Sequence, residues 1–213
     1  MQPIDVLIVD DHEIVRLGIR RLLEEAGFAV AEAASGETAL QMIREGLRAR
    51  VVLMDIQMPG IGGLEATRRL LALAPEQRII ILTVVADGPL PRAMLRAGAH
   101  GYLTKGCSVT EMTRAIRRVT AGERYVSREI AQSLAFGLLD GEGDSPFDRL
   151  SARELQFVVL LSQGLRNQAI ANTMNVSAKT VSTYRARAST KLGVDSEAQM
   201  IKLALAHGVV GRA

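Results

Sequence analysis

This chain of 213 residues is 48% hydrophobic and 23% charged, which is the composition of a globular protein with room for two ordinary domains or one large one. Its longest apolar stretch, residues 79–86, is too short to cross a membrane, and no basic segment followed by an apolar run predicts a secretory signal. A lone Cys107 excludes an intrachain disulfide, so we expect a cytoplasmic protein with no membrane partner.

The net charge of +3 is unevenly distributed along the chain. Residues 149–213 hold nine Lys or Arg against three Asp or Glu, a charge of +6, whereas residues 1–148 carry −3. An acidic front and a basic rear favour a nucleic-acid partner for the rear alone, although ordinary surface variation would also give a difference of this size.

The front half alternates short apolar runs with segments of helical periodicity. Uninterrupted β-branched and aliphatic runs are typical of strands buried in a parallel sheet. The alternation therefore predicts an α/β fold with a doubly wound, five-stranded parallel sheet. The predicted strands are residues 6–9, 29–32, 51–54, 79–82 and 101–104, and the predicted helices are residues 12–25, 35–45, 64–73, 90–97 and 108–121.

Four of these strands end at residues able to handle a phosphoryl group. They are followed by Asp10 and Asp11, by Asp55, by Thr83, and by Lys105. Ligands bind beyond the carboxyl ends of parallel strands, where these side chains would meet. Any one of them alone fits a helix cap or a turn, but all of them together predict a site.

The residue types at these strand ends suit aspartyl phosphorylation. Crowded carboxylates attract a cation, and Mg²⁺ prefers oxygen ligands. Asp10, Asp11 and Asp55 could supply them, with a main-chain carbonyl from the turn that begins at Gln57. Asp55 stands alone after its strand and is the better nucleophile candidate. Lys105 would then neutralise the phosphoryl oxygens, and the Thr83 hydroxyl would hydrogen-bond one of them.

An enzyme that transfers phosphoryl groups through an aspartyl intermediate is the main rival interpretation. Such enzymes often place a second acid two residues beyond the nucleophile, where it protonates the leaving group. Here that position is Gln57, and no other general acid is evident. We therefore expect no enzyme activity beyond slow gain and loss of the protein's own phosphate.

The front half resembles the receiver domain of bacterial two-component response regulators, through residues 9–12, residues 54–60, Thr83 and residues 97–105. The resemblance implies a flavodoxin-like strand order 2-1-3-4-5. It also implies that Asp55 takes a phosphoryl group from a sensor histidine kinase or phosphotransfer protein, with Mg²⁺ as cofactor. Thr83 would move toward the phosphate while Tyr102 turns inward. A regulator that is switched by protein binding without phosphorylation remains an alternative.

Two regions interrupt this pattern. Pro89 and Pro91 lie close together where the fourth helix should start, which predicts a shortened or displaced helix. Residues 127–139 read as a helix, and the glycine-rich stretch 140–146 after it reads as a flexible linker. We therefore expect a receiver domain over residues 1–122, a linker helix and linker over 123–148, and an all-α DNA-binding domain over 149–213.

The rear segment has the signals of a helix-turn-helix. Ser151 followed by Glu154 predicts a capped first helix, Asn167 caps a short second one, and Ser177 caps a third that ends at Gly193. Two helices joined by a tight turn, the second of them rich in small polar and basic residues, suit docking in the DNA major groove.

The third helix of this segment presents different residue types on its faces. Val181, Ala188 and Leu192 share one stripe and should face the core. The opposite face is small and polar, as base readout requires, and basic or aromatic residues flank it where phosphates would lie. We expect base contacts from Ser182, Thr183 and Ala186, and phosphate contacts from Lys179, Tyr184, Arg185, Arg187 and Lys191.

Residues 150–154, 167–171 and 177–184, including Thr180, resemble the LuxR/NarL-type DNA-binding domain, and further stretches resemble the global-activator type of these regulators. The resemblance implies a transcription regulator that binds double-stranded promoter DNA and adds Thr180 to the expected DNA contacts. It also implies that the last helix, residues 196–206, pairs two domains as a homodimer on DNA. Met200, Leu203 and Ala204 of that helix fit core packing equally well.

Overall fold

The structure, a computed structural model, describes residues 4–84, 89–139 and 145–209. Its front part is built on a six-stranded parallel sheet with the spatial order β2-β1-β3-β4-β5-β6. The strands are β1 (Ile4–Val9), β2 (Val30–Ala33), β3 (Ala49–Met54), β4 (Arg78–Thr83), β5 (Gly101–Thr104) and β6 (Tyr125–Val126).

Within the described residues, six helices accompany the sheet, and a short 3-10 helix (Pro146–Arg149) leads into four more. Those of the front part are α1 (Glu13–Glu25), α2 (Gly36–Arg44), α3 (Gly62–Leu73), α4 (Pro89–Arg96), α5 (Val109–Thr120) and α6 (Arg128–Leu139). Those of the rear part are α7 (Ala152–Ser162), α8 (Asn167–Met174), α9 (Ala178–Leu192) and α10 (Glu197–Ala206).

Both faces of the sheet are covered by helices, which explains why its strands are continuously apolar. Val51 and Leu53 point into a core that also holds side chains of α1 and α5, whereas Val52 and Met54 point into a core shared with α2, α3 and α4. Alternate residues of a strand face opposite sides, so burial on both sides selects unbroken apolar runs. The predicted doubly wound α/β fold is confirmed.

The predicted count of five strands is wrong, because β6 adds a sixth at the sheet edge. Tyr125 and Val126 pair with Gly101 and Tyr102 of β5, in the segment that we expected to begin the linker. Two residues are too few for a periodic signal, so only the pairing identifies this strand. Residues 85–88 before the fourth helix, and residues 140–144 of the predicted linker, lie outside the described part of the chain.

The two prolines of the fourth helix sit in its first turn. Helix α4 starts at Pro89, and Pro91 is its third residue. Proline is tolerated there because the first backbone N–H groups of a helix have no partner within it. The helix is eight residues long, against 13 in α1 and 12 in α5.

Serine side chains cap several of the helices, including the first and third helices of the rear segment, for which the sequence predicts serine caps. Ser35, Ser108, Ser151 and Ser177 each accept a hydrogen bond from the backbone N–H three residues on, and Ser151 and Glu154 form a complete capping box. The predicted cap at Asn167 is wrong. Arg166 is the N-cap residue of α8, and its side chain makes no capping bond.

The rear helices pack around fully buried side chains such as Phe157, Ile170 and Met174, which belong to the same apolar cluster as Val52 and Met54 of the sheet. Helix α7 also packs against α3, the helix that follows β3. The rear part therefore contacts the front part near the carboxyl end of β3. In the described part of the chain, no helix is both long and apolar enough to span a membrane.

Candidate functional site

The buried carboxylates of Asp10 and Asp55 lie side by side at the carboxyl edge of the sheet. Asp55 directly follows β3, and its backbone N–H donates to the carbonyl of Val9 at 2.9 Å, which continues the pairing with β1. Only 2% of the Asp10 side chain and 3% of the Asp55 side chain is exposed. The structure therefore brings these two predicted residues together.

Lys105 bridges the two carboxylates. Its Nζ lies 2.7 Å from Asp10 Oδ2 and 2.9 Å from Asp55 Oδ2. The backbone N–H of Lys105 donates to the carbonyl of Thr83 at 2.7 Å, so the pairing of β4 with β5 sets the position of the lysine. One ammonium thus faces both acids, as the strand-end pattern predicts.

Burial and the contacts between lysine and carboxylates act in opposite directions on the pKa values of this cluster. Burial raises the pKa of Asp55 above its ordinary value, although the charge and hydrogen bond of Lys105 act in the opposite direction. Burial also acts to lower the pKa of Lys105, but the hydrogen bond to Asp10 and the charge of Asp55 outweigh it, so this pKa is raised. A protonated Lys105 is outnumbered by acidic side chains, which makes the cleft attractive to a further cation.

The acidic residues also fit a divalent metal ion. Ligand atoms of Asp10, Asp11, His12 and Asp55 all lie within 4.8 Å of one another. The Oδ1 atom of Asp11 is buried and has no hydrogen-bond partner among the described residues, and it lies 3.1 Å from Nδ1 of the exposed His12. A set dominated by carboxylate oxygens suits a hard cation such as Mg²⁺ or Ca²⁺.

The remaining predicted residues of this site are buried beside it. Thr83 ends β4 with no solvent exposure. Tyr102, which the family resemblance expects to turn inward when the protein is phosphorylated, is already fully buried on β5. Gln57 follows the nucleophile candidate closely, and its backbone N–H lies 3.3 Å from Asp55 Oδ1.

Sequence reasoning missed two residues that shape the loop after Asp55. The backbone N–H of Gly63 donates to the Ile56 carbonyl at 3.0 Å, and a Cβ at residue 63 would collide with the Asp55 carbonyl. The Glu37 carboxylate accepts the backbone N–H of Ile61 at 3.0 Å. The glycine pair at 62–63 is a local signal for such a close approach, whereas Glu37 has none because its partner lies 24 residues away.

Helix α9 places its small polar residues on an exposed face. Val181 and Ala188 are buried and Leu192 is half-buried, as predicted. Seven exposed residues, which recur every three or four positions and include adjacent pairs, line the opposite side. They are Lys179, Ser182, Thr183, Ala186, Arg187, Thr190 and Lys191. Thr180 is half-buried, and its hydroxyl lies 2.8 Å from that of the capping Ser177.

Three residues expected to meet phosphates have partners inside the protein. The Nζ of Lys191 lies 2.6 Å from the buried Glu154 carboxylate. Arg185 forms a 2.9 Å ion pair with Glu197 of α10. The guanidinium of Arg153 lies over the half-buried Tyr184 ring, 6.0 Å from its centre. These contacts give Lys191, Arg185 and Tyr184 structural roles that the sequence pattern did not predict.

Because Glu154 is buried and hydrogen-bonded, replacing it should weaken the fold of the rear domain. We expect Glu154→Gln to lower the free energy of unfolding by about 1–2 kcal/mol at neutral pH, since Lys191 then faces a neutral amide. Chemical denaturation followed by circular dichroism measures this change. Glu197→Gln, which removes an exposed carboxylate, should cost much less, and equal costs would contradict a structural role for Glu154.

The same ion pair predicts a pH dependence. Burial raises the pKa of Glu154, but hydrogen bonds from Lys191 and Ser151 outweigh it, so the folded pKa lies below the usual value. The stabilisation is therefore complete above the unfolded-state pKa of about 4.3 and is lost as the pH falls through the folded value. Glu154→Gln should remove this part of the acid sensitivity.

Two protein families match the chain. The family described as "Response regulator receiver domain" matches residues 6–117, and the family "Bacterial regulatory proteins, luxR family" matches residues 148–204. The response regulator GacA of Pseudomonas protegens is 47% identical over 209 residues, covering 97% of this chain and 98% of that protein. The response regulator UvrY of Escherichia coli K12 is 45% identical, covering 97% and 95%.

Solved structures agree with these matches. The Salmonella typhimurium response regulator RcsB superposes with a TM-score of 0.69 at 26% identity, covering 98% of this chain and 100% of that chain. RcsB bound to the promoter rprA in the presence of the phosphomimetic BeF₃⁻ gives a TM-score of 0.66 at 26% identity, covering 95% and 98%. These likenesses extend over both the sheet domain and the helical domain.

Proposed function

Since the chain belongs to the response regulators that carry a LuxR-family DNA-binding domain, we propose that it is a transcription regulator of a two-component system, switched by phosphorylation of Asp55. One observation carries the proposal. The carboxylate of Asp55, buried after β3, lies 2.9 Å from the Nζ atom of Lys105, which follows β5. Asp10 and Asp11 lie in the same cleft. We propose the domain division 1–122, 123–148 and 149–213.

In the proposed reaction Asp55 is the nucleophile and a sensor kinase or phosphotransfer protein is the donor. A carboxylate oxygen of Asp55 attacks phosphorus, a P–O bond forms, and the P–N bond to the donor histidine breaks with its electron pair left on the imidazole. Lys105 lies close enough to Asp55 to neutralise charge that develops on the phosphoryl oxygens, and the Thr83 hydroxyl would hydrogen-bond one of them.

The metal of this reaction is proposed to be Mg²⁺. Asp10, Asp11, Asp55 and the main-chain carbonyl of Gln57 would hold it, and it supplies positive charge for the transferring phosphoryl group when bound. Gln57 stands where phosphotransferases often place a second acid, and its amide cannot protonate a leaving group. We therefore expect no turnover beyond slow exchange of the protein's own phosphate.

The proposed output is promoter binding through α9. Its exposed face combines small polar side chains with the basic residues Lys179 and Arg187, which suits a helix that lies in the major groove. We propose that two copies bind together through α10, where Leu205 is 48% exposed. A regulator that reads DNA acts where the DNA is, so we propose a cytoplasmic location.

Phosphorylation should strengthen DNA binding. The test selects a duplex from a random library with acetyl-phosphate-treated protein, then compares its affinity for treated and untreated protein at one salt concentration. We expect about a tenfold difference, a usual size for coupling between two sites. Protein treated with acetate is the control. Equal affinities would favour the alternative in which protein binding operates the switch.

A further inference from the structure

The DNA-binding domain contacts the loop that follows Asp55 directly. Arg153 Nη1 donates to the carbonyl of Gly60 at 2.5 Å, and Gln156 Nε2 lies 3.4 Å from the carbonyl of Met58 and 3.3 Å from that of Gly60. The backbone N–H of Gly60 donates in turn to the carbonyl of Thr173 at 2.7 Å. We call these contacts of Arg153, Gln156 and Thr173 the interdomain latch.

The latch is fixed in place from the side of the DNA-binding domain. Arg153 Nη1 also donates to Gln156 Oε1 at 2.8 Å, and Arg153 Nη2 donates to the carbonyl of Met174 at 2.9 Å. The ring of Tyr184 lies beneath its guanidinium. A planar guanidinium that is held by several partners loses little further freedom when it bonds the loop, so the latch is organised before docking.

On the receiver side, glycine allows the close approach. A Cβ at Gly62 would lie 2.7 Å from Gln156 Nε2, and Gly62 has a φ of +69°. Gly60 has a φ of +71°, and a Cβ there would collide with the Glu37 carboxylate. The loop is therefore shaped to lie between α2 of the receiver and α7 of the DNA-binding domain.

This loop also contains the proposed carbonyl ligand of the metal. Met58, whose carbonyl faces Gln156, is the next residue after Gln57. On the other side of Gln57, the Asp55 carboxylate accepts its backbone N–H. The loop is thus held between the phosphoacceptor and the latch, in a conformation where acidic ligand atoms already lie within 4.8 Å of one another.

The geometry points to Arg153 and Gln156 as positioning residues for the metal-dependent phosphorylation of Asp55. By holding the carbonyls of Met58 and Gly60, they keep the loop around Gln57 in the conformation that accepts Mg²⁺. The inference rests on the proposed function, and it assigns residues of the DNA-binding domain to the chemistry of the receiver.

Coupling of this kind acts in both directions. A loop that is already ordered loses less conformational entropy when it binds a metal ion, so docking of the DNA-binding domain tightens metal binding. Thermodynamic linkage then requires that the metal tightens docking by the same factor. Mg²⁺ should therefore draw the two domains of the unphosphorylated full-length protein together.

The test measures Mn²⁺ binding to the unphosphorylated full-length chain by electron paramagnetic resonance, with Mg²⁺ as competitor. We expect Gln156→Ala and Arg153→Ala to weaken Mg²⁺ binding by about tenfold, the lower end of what loss of an outer-shell contact costs. Arg153→Lys, which keeps one donor, should recover part of the affinity. Arg149→Ala and Gln168→Ala change exposed residues of the same domain outside the latch and should leave the affinity unchanged.

Labelling by acetyl phosphate provides a second readout that a merely structural role would not change. In the latch variants the Mg²⁺ concentration for half-maximal labelling should rise about tenfold, while the rate at saturating Mg²⁺ stays near that of the wild type. Gln156→Ala is the more informative variant for the positioning role. The side-chain amide of Gln156 donates to the loop carbonyls, whereas Arg153 also donates to the Met174 carbonyl inside its own domain.

The outcomes separate the two proposals. If the wild type binds Mn²⁺ and is labelled, and Gln156→Ala has the same metal affinity and Mg²⁺ dependence, the positioning role is wrong while the proposed function stands. If the wild type neither binds the metal nor accepts phosphate, the proposed function itself fails. Small-angle scattering with and without Mg²⁺ should show closer domains in the wild type and no change in the latch variants.

Discussion

Asp55→Asn should reduce labelling of the full-length protein by acetyl phosphate to background. Asparagine keeps the shape of the side chain but offers no carboxylate oxygen to form the acyl phosphate. The local fold should survive, because Lys105 retains its 2.7 Å contact with Asp10. Incorporation of radioactive phosphate, measured beside the circular dichroism spectrum of the same sample, gives the result.

Asp148→Asn is the matched control for this experiment. The Asp148 side chain is similarly buried, with 4% of it exposed, but it forms a 2.9 Å ion pair with Arg96. Neither residue belongs to the acidic cleft. Its replacement should leave labelling intact. Undiminished labelling of Asp55→Asn would place the phosphate on another residue, and mapping the acyl phosphate after borohydride reduction would show whether Asp10 or Asp11 carries it.

The clustering of the strand-end side chains was predictable because its signals are local. Buried parallel strands need long apolar runs, so the first polar residue after each run marks its carboxyl end. Asp10, Asp55 and Lys105 could therefore be placed together before any contact was known. The capping serines Ser151 and Ser177 were predictable for the same reason, since each pairs with a group only three residues away.

The features that the sequence did not predict depend on long-range contacts. Strand β6 has two residues, and only its register with β5 identifies it. Arg153 and Gln156 contact carbonyls 93 to 98 residues away, and a main-chain carbonyl has no sequence signature. The position of Lys191 on α9 predicts a phosphate contact, because its partner Glu154 lies 37 residues earlier and leaves no local signal in the sequence.

Lys179 and Thr183 should have different effects on DNA binding, because one is a charge and the other a hydrogen-bonding group. Lys179→Ala should weaken binding to all duplexes alike and flatten the salt dependence by about one phosphate contact, a slope change of about 0.9. Thr183→Val should leave that slope unchanged and reduce discrimination between the selected duplex and a single-base variant by about 1–3 kcal/mol. Fluorescence anisotropy titrations at several salt concentrations measure both.

Matched controls come from exposed positions that are not among the expected DNA contacts. Thr190→Val changes a hydroxyl further along α9 that donates to the Ala186 carbonyl at 3.0 Å, much as Thr183 donates to the Lys179 carbonyl. Arg149→Ala removes an exposed charge from the 3-10 helix, outside both α9 and α10. Both should leave affinity and discrimination near the wild type. If Lys179→Ala weakened one sequence selectively while Thr183→Val weakened all of them, the assigned roles would be reversed, and α9 would meet the groove with its charged rather than its small polar side chains.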